Sequence, residues 1–132
     1  MSERVKIFGV DNFYEDEFIC SCGCGQNGMK KAFIELLQDL RDTYMKPMSI
    51  SSGYRCPVHN SKVSSTGLTG PHTTGLACDI QVSGKDAHHL LCLLTSYDFT
   101  GIGINQRGPH DQRFIHIDLI EDPAKRPWVW SY

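Results

Sequence analysis

The stretch HTTGLACDI, residues 72–80, constrains this chain more than any other, because it sets His72 and Asp79 around the small residues Gly75 and Ala77. With His72 in a loop and Asp79 on the strand that follows, the small residues let the backbone fold closely enough for the two side chains to converge. Convergence of an imidazole and a carboxylate is what a metal ion requires. Zinc accepts both at about 2.0–2.2 Å, and a catalytic site uses three protein ligands while keeping a position for water. His116 is the best third ligand: in FIHIDL it interrupts an apolar strand whose Ile115 and Ile117 point to the opposite face. A lone strand histidine ordinarily bonds a core carbonyl, but beside His72 and Asp79 the ligand reading prevails. His59, His88, His89 and His110 fit less well, the adjacent pair falling near a helix start and His110 in a polar loop.

The chain around these residues reads as one α+β domain, residues 1–132. Its 40% hydrophobic and 21% charged residues are ordinary for a globular protein. In residues 29–45, MKKAFIELLQDLRDTYM, Phe33, Leu36, Leu37, Leu40 and Tyr44 recur at helical spacing, and Pro47 stops the helix. MSISSGYR predicts a short strand leading into a turn, and CDIQV a buried strand. Ser83 and Asp86 have the spacing of a capping box before a second helix, AHHLLCLLTSY. TGIGIN and RFIHIDLI predict adjacent antiparallel strands, and WVWSY an edge strand. The expected architecture is a small antiparallel sheet packed against two main helices.

A net charge of −2 and a pI near 6.3 point away from nucleic acid and from anionic membranes as partners. No apolar run is long enough to span a bilayer, and the N-terminus lacks the apolar core of a signal peptide. A cytoplasmic monomer with free thiols is therefore expected. The cluster CSCGCG places Cys20, Cys22 and Cys24 at alternate positions, where they could hold a soft metal. Because CxxC pairs are missing, the favoured reading is a turn whose cysteines are small buried fillers.

The motif residues resemble the zinc D-Ala-D-Ala carboxypeptidase and murein peptidase group, peptidase family M15, whose members include phage endolysins and distant Hedgehog-like domains. The resemblance runs along nearly the whole chain: FYEDEFICSCGCG is similar to the opening of the small phage-type branch, ISSGYRCPVHNSKV to its substrate-arginine segment, HTTGLACDI to its HxxGxAxD motif, and FIHIDL to its closing histidine strand. It implies a Hedgehog/DD-peptidase-like fold with one catalytic Zn2+ held by His72, Asp79 and His116. It also implies that Arg55 faces the substrate, where a guanidinium clasps a peptide carboxylate or carbonyl through paired hydrogen bonds, with Asn60 fixing that loop. Tyr54, in the same turn, reads equally as substrate-binding or as packing. For Trp128 and Trp130 core or edge packing is favoured over a peptide groove.

Two positions depart from the family pattern. Many members carry Glu or Asp three residues before the last ligand, where this chain has Arg113, and a serine two places before the first, where it has Gly70. The general base then falls to Asp118, which could instead orient a ligand histidine, or to Asp111 in the preceding loop. A cysteine nucleophile is disfavoured, since alternation turns Cys78 away from the site. The resemblance thus implies a zinc metallopeptidase cutting D-Ala-containing or L-Ala-D-Glu bonds of cell-wall stem peptides. Such an enzyme reaches the wall through a phage holin or within a phage particle. The rival reading is a non-catalytic zinc-bound structural or binding module of the same fold.

Overall fold

The computed structural model describes residues 3–132. Three helices, α1 (Lys31–Tyr44), α2 (Pro57–Val63) and α3 (Gly84–Leu94), accompany a five-stranded sheet. Its strands are β1 (Ser49–Ser52), β2 (Ala77–Gln81), β3 (Gly101–Asn105), β4 (Phe114–Asp118) and β5 (Trp128–Ser131), in spatial order β1-β2-β4-β3-β5. The fold is α+β, as expected. Among the described residues, no helix is long and apolar enough to cross a membrane.

The sheet is not wholly antiparallel. β1, β2, β4 and β3 pair antiparallel, whereas β5 runs parallel to β3. The segment after β4 passes around the end of the sheet before β5 begins, so the chain returns in the direction of β3. Alternation along the strands decides the rest. Cys78 and Ile80 on β2 and Ile115 and Ile117 on β4 are buried with Phe33, Ile34, Leu37 and Leu40 of α1 and Leu90 and Leu94 of α3. The opposite face carries Asp79, His116 and Asp118. One sheet face is therefore core and the other is free for chemistry.

Helix α1 is bounded much as its spacing predicts. Met45, in the left-handed region at φ 62°, closes it with an N–H bond to the Arg41 carbonyl. Helix α3 forms where expected, but the capping box does not. The Ser83 hydroxyl bonds His110 instead, and Asp86 pairs with Lys46 at 2.7 Å. Helix α2 escaped the sequence reading. Its signals were Pro57 at the first helical position and Cys56 as cap, whose sulfur accepts the His59 N–H.

Candidate metal centre

Pairing register brings the centre together. On β2 and β4, Asp79 lies directly opposite His116, and the row continues through Gly103 on β3 to Trp130 on β5. His72 enters from a short 3-10 turn, Pro71–Thr73, that leads into β2. Gly75 makes this entry possible. It adopts φ +76°, and a Cβ there would collide with the Gly28 carbonyl oxygen, so only glycine fits both the conformation and the space.

The three side chains converge. His72 Nε2 lies 3.3 Å and His116 Nδ1 3.0 Å from Asp79 Oδ1, and all three residues are buried. The outer nitrogen of each ring is already committed: His72 Nδ1 donates to the Gly53 carbonyl at 2.8 Å, and His116 Nε2 to Asp118 Oδ2 at 2.8 Å. With their N–H groups on the outside, two neutral imidazoles would aim lone pairs at a carboxylate. That arrangement is stable only with a positive charge between them, either a proton or a metal ion. Outer nitrogens anchored to a carbonyl and a carboxylate are also the usual bracing of metal-ligating histidines. The donor set of two imidazoles and one carboxylate therefore fits zinc.

In the metal-free protein a proton supplies that positive charge. Burial opposes charge on Asp79, yet hydrogen bonds from His116 and His72 overcome it and hold the carboxyl well below the usual range. Burial likewise opposes charge on His116, but Asp118 and Asp79 push its pKa upward. Asp118 is desolvated too. His116 and Arg126 nevertheless bring it down to about 2.

Asp118 sits behind His116, fully buried. Besides His116 it accepts Arg126 Nε at 2.9 Å and Nη2 at 2.7 Å. It does not line the cleft in front of the centre. Of the two readings of this residue, the geometry matches the one that orients a ligand. Asp111, the reserve, is exposed in a 3-10 turn and borders a different depression beside Tyr44 and Ser49. The structure does not bring it to His72, Asp79 and His116. Arg113 braces its own loop through the Gly108 carbonyl. Gly70, in place of the serine, packs directly on the side chains of Asn60 and Thr66, which would have to shift to admit a Cβ.

The cleft in front of the centre has a volume of about 780 Å³, within the range of small-ligand sites. Arg55 lines it, with Nη2 3.9 Å from Asp79 Oδ2 and Nη1 3.3 Å from Asn60 Oδ1. Asn60 in turn donates to Thr66 and Gly67, holding the 64–70 loop in place. Tyr54 does not line the cleft. Its ring covers Gly28 and packs on the core.

The tryptophans depart from the favoured reading. β5 is an edge strand, but Trp128, Trp130 and Tyr132 alternate onto the cleft face and form its wall. Trp130 lies 5.1 Å from the His116 ring, and the Arg126 guanidinium sits 5.0 Å over its indole. A Cβ at Gly103 would fall 2.6 Å from this indole, so glycine gives the ring its place. The period-two aromatics of WVWSY were the available signal. Asp122, Lys125 and Arg126 also border the cleft and carried no motif. Cys78 faces the core, where burial pushes its thiol well above the ordinary value and removes it as a nucleophile.

A protein-family model described as Peptidase M15 matches residues 11–118, a span that includes all three converging residues and Arg55. No curated protein matches the chain.

Proposed function

Because the chain belongs to the peptidase M15 family, we propose that it is a zinc-dependent peptidase cutting a D-Ala-containing or L-Ala-D-Glu bond in bacterial cell-wall stem peptides. The observation that carries this reading is the buried triad of His72, Asp79 and His116, its outer nitrogens fixed, at the floor of a cleft walled by Arg55 and aromatic rings. Zinc held there by His72, Asp79 and His116 would supply a Lewis acid able to polarise a peptide carbonyl and to acidify water.

The remaining work belongs to the chain. Arg55 offers paired donors to a substrate carboxylate or carbonyl. Its anchor on Asn60 and its backbone N–H bond to the His72 carbonyl, 3.0 Å, hold it in register with the centre. Lys125 adds positive charge at the rim, suited to the carboxylates of stem peptides. Trp130 excludes water from one side of His116. Asp118, ion-paired to Arg126, keeps the His116 proton on Nε2, so that Nδ1 presents its lone pair.

A second reading, a zinc-bound binding module without hydrolysis, is favoured by one observation. Among the described residues, the only side-chain carboxylate besides Asp79 that borders the cleft is that of Asp122, whose Oδ1 already accepts the Ala124 N–H at 3.0 Å. Digestion of purified muropeptides, with the fragments identified by mass, decides between the two. New amine termini that disappear in His116→Ala support the peptidase and name the bond. Stoichiometric zinc without any cleavage establishes the module. As an enzyme, the protein acts as a monomer on walls reached by phage-mediated lysis or carriage in a phage particle.

A further inference from the structure

We propose that Cys20, Cys22, Cys24 and Cys56 hold a second metal ion, a structural zinc bound by four thiolates, which clips the N-terminal loop to the start of α2. Three of these residues are close in sequence and the fourth is distant, yet the fold gathers all four sulfurs to within 4.8 Å of one another. Cys20 and Cys22 are 3.4 Å apart and Cys22 and Cys56 3.7 Å. A tetrahedral zinc with bonds of about 2.3 Å holds its sulfurs about 3.8 Å apart. A disulfide brings sulfurs to about 2.05 Å, and all six cysteines are free thiols. The spacing is that of ligands around an ion.

Local structure is arranged for the same end. Residues at i, i+2 and i+4 of an extended chain share a face but stand about 6.6 Å apart along it, too far for one ion. Here the chain turns at Gly23 and Gly25, with φ +88° and +79°, and nothing crowds either position, so glycine serves the backbone and not the packing. Backbone amides already point at the sulfurs. Cys56 N–H donates to Cys20 Sγ at 3.3 Å and His59 N–H to Cys56 Sγ at 3.4 Å, contacts that spread thiolate charge. Cys22 and Cys24 are exposed, which corrects the expectation that the cluster consists of buried fillers. Two sulfurs anchor the clip in the protein and two close it from the solvent side.

The clip has a structural role at the first centre. Cys56 directly follows Arg55, and the preceding turn is tied on both sides: Tyr54 N–H donates to the Phe18 carbonyl at 2.8 Å, while the Gly53 carbonyl accepts the His72 Nδ1–H at 2.8 Å. An ion joining Cys56 to Cys20, Cys22 and Cys24 therefore fixes the segment that presents Arg55 and orients His72.

The test uses full-length protein purified without oxygen. Two zinc ions per chain are expected, one lost in Cys22→Ser/Cys24→Ser and the other in His72→Ala/His116→Ala. After cobalt replacement, thiolate-to-cobalt charge-transfer absorption should persist in the histidine variant and vanish in the cysteine variant. In the wild type, the thiols of Cys22 and Cys24 should react with a thiol reagent only once a chelator is added. The proposal is overturned by a single metal equivalent with both exposed thiols immediately reactive, by a cysteine variant that keeps two equivalents, or by a disulfide among the four under these conditions. None of these results depends on whether the first centre hydrolyses anything.

Discussion

Replacing Asp118 by asparagine separates the two roles open to this carboxylate. The side chain is fully buried, and Asn keeps its shape while removing the charge that faces Arg126 and His116. Its amide would present a donor to the Arg126 donors. The folded carboxyl has a pKa of about 2, against about 3.9 unfolded, so in the metal-free protein its interactions are worth about 2–3 kcal/mol at neutral pH. Stranding Arg126 raises the cost to about 3–5 kcal/mol. Because Asp118 fixes the tautomer of His116, zinc affinity should also fall about 10–100-fold. Affinity is read by competition with a chromophoric chelator, stability by urea unfolding, and cleavage of muropeptides at saturating zinc. The expected pattern is weaker zinc binding and lower stability, with cleavage largely restored once zinc is saturating. Unchanged zinc affinity together with a loss of about 10²–10⁴ in rate at saturating zinc would refute the reasoning and make Asp118 the proton acceptor.

Further outcomes follow from the same geometry. Arg55→Lys keeps the charge but loses the paired donors, so KM for a carboxylate-bearing stem peptide should rise about 10–100-fold, from the 1.5–3 kcal/mol of a charged hydrogen bond, with kcat little altered; an unchanged KM removes Arg55 from substrate binding. Gly75→Ala combines a left-handed φ with a collision at the Gly28 carbonyl and should destabilise by about 2–4 kcal/mol in chemical denaturation. In the metal-free protein, the lowered Asp118 and Asp79 stabilise above their unfolded pKa of about 3.9, and that contribution drains away as pH falls towards the folded values. The raised His116 stabilises below its unfolded value of about 6.5, and that contribution is lost as pH rises through its folded pKa. Urea midpoints without metal should therefore peak between about pH 4 and 6.5, and a flat profile contradicts the charge network described for the triad.

Much of the centre was legible because its residues sit where periodicity is strict. His116 and Asp79 interrupt apolar strands in phase, so a period of two was enough to put them on the face away from Ile115, Ile117 and Ile80. What sequence could not supply was direction and depth. Whether β5 joins β3 parallel or antiparallel depends on the path of residues 119–127, and with that path came Arg126, which occupies Asp118 and turns it from the cleft. Tyr54 and Arg55 are neighbours with opposite fates, because Tyr54 meets the gap left by Gly28, a contact across 26 positions of chain. Cys56 could not be grouped with the CSCGCG cluster by spacing, since only the folded loop closes that distance.

The facing of Asp79 and His116 across two neighbouring strands carries a consequence for assembly. If β2 slid by a single position along β4, Asp79 would confront an isoleucine, and the alternation would swing it into the oily interior while Cys78 emerged in its place. No ion could then be captured. An ion that binds only when these two strands, distant in the chain, are correctly aligned would act as a proofreader of their alignment, so a growing or refolding chain supplied with metal should accumulate fewer slipped conformers than one starved of it.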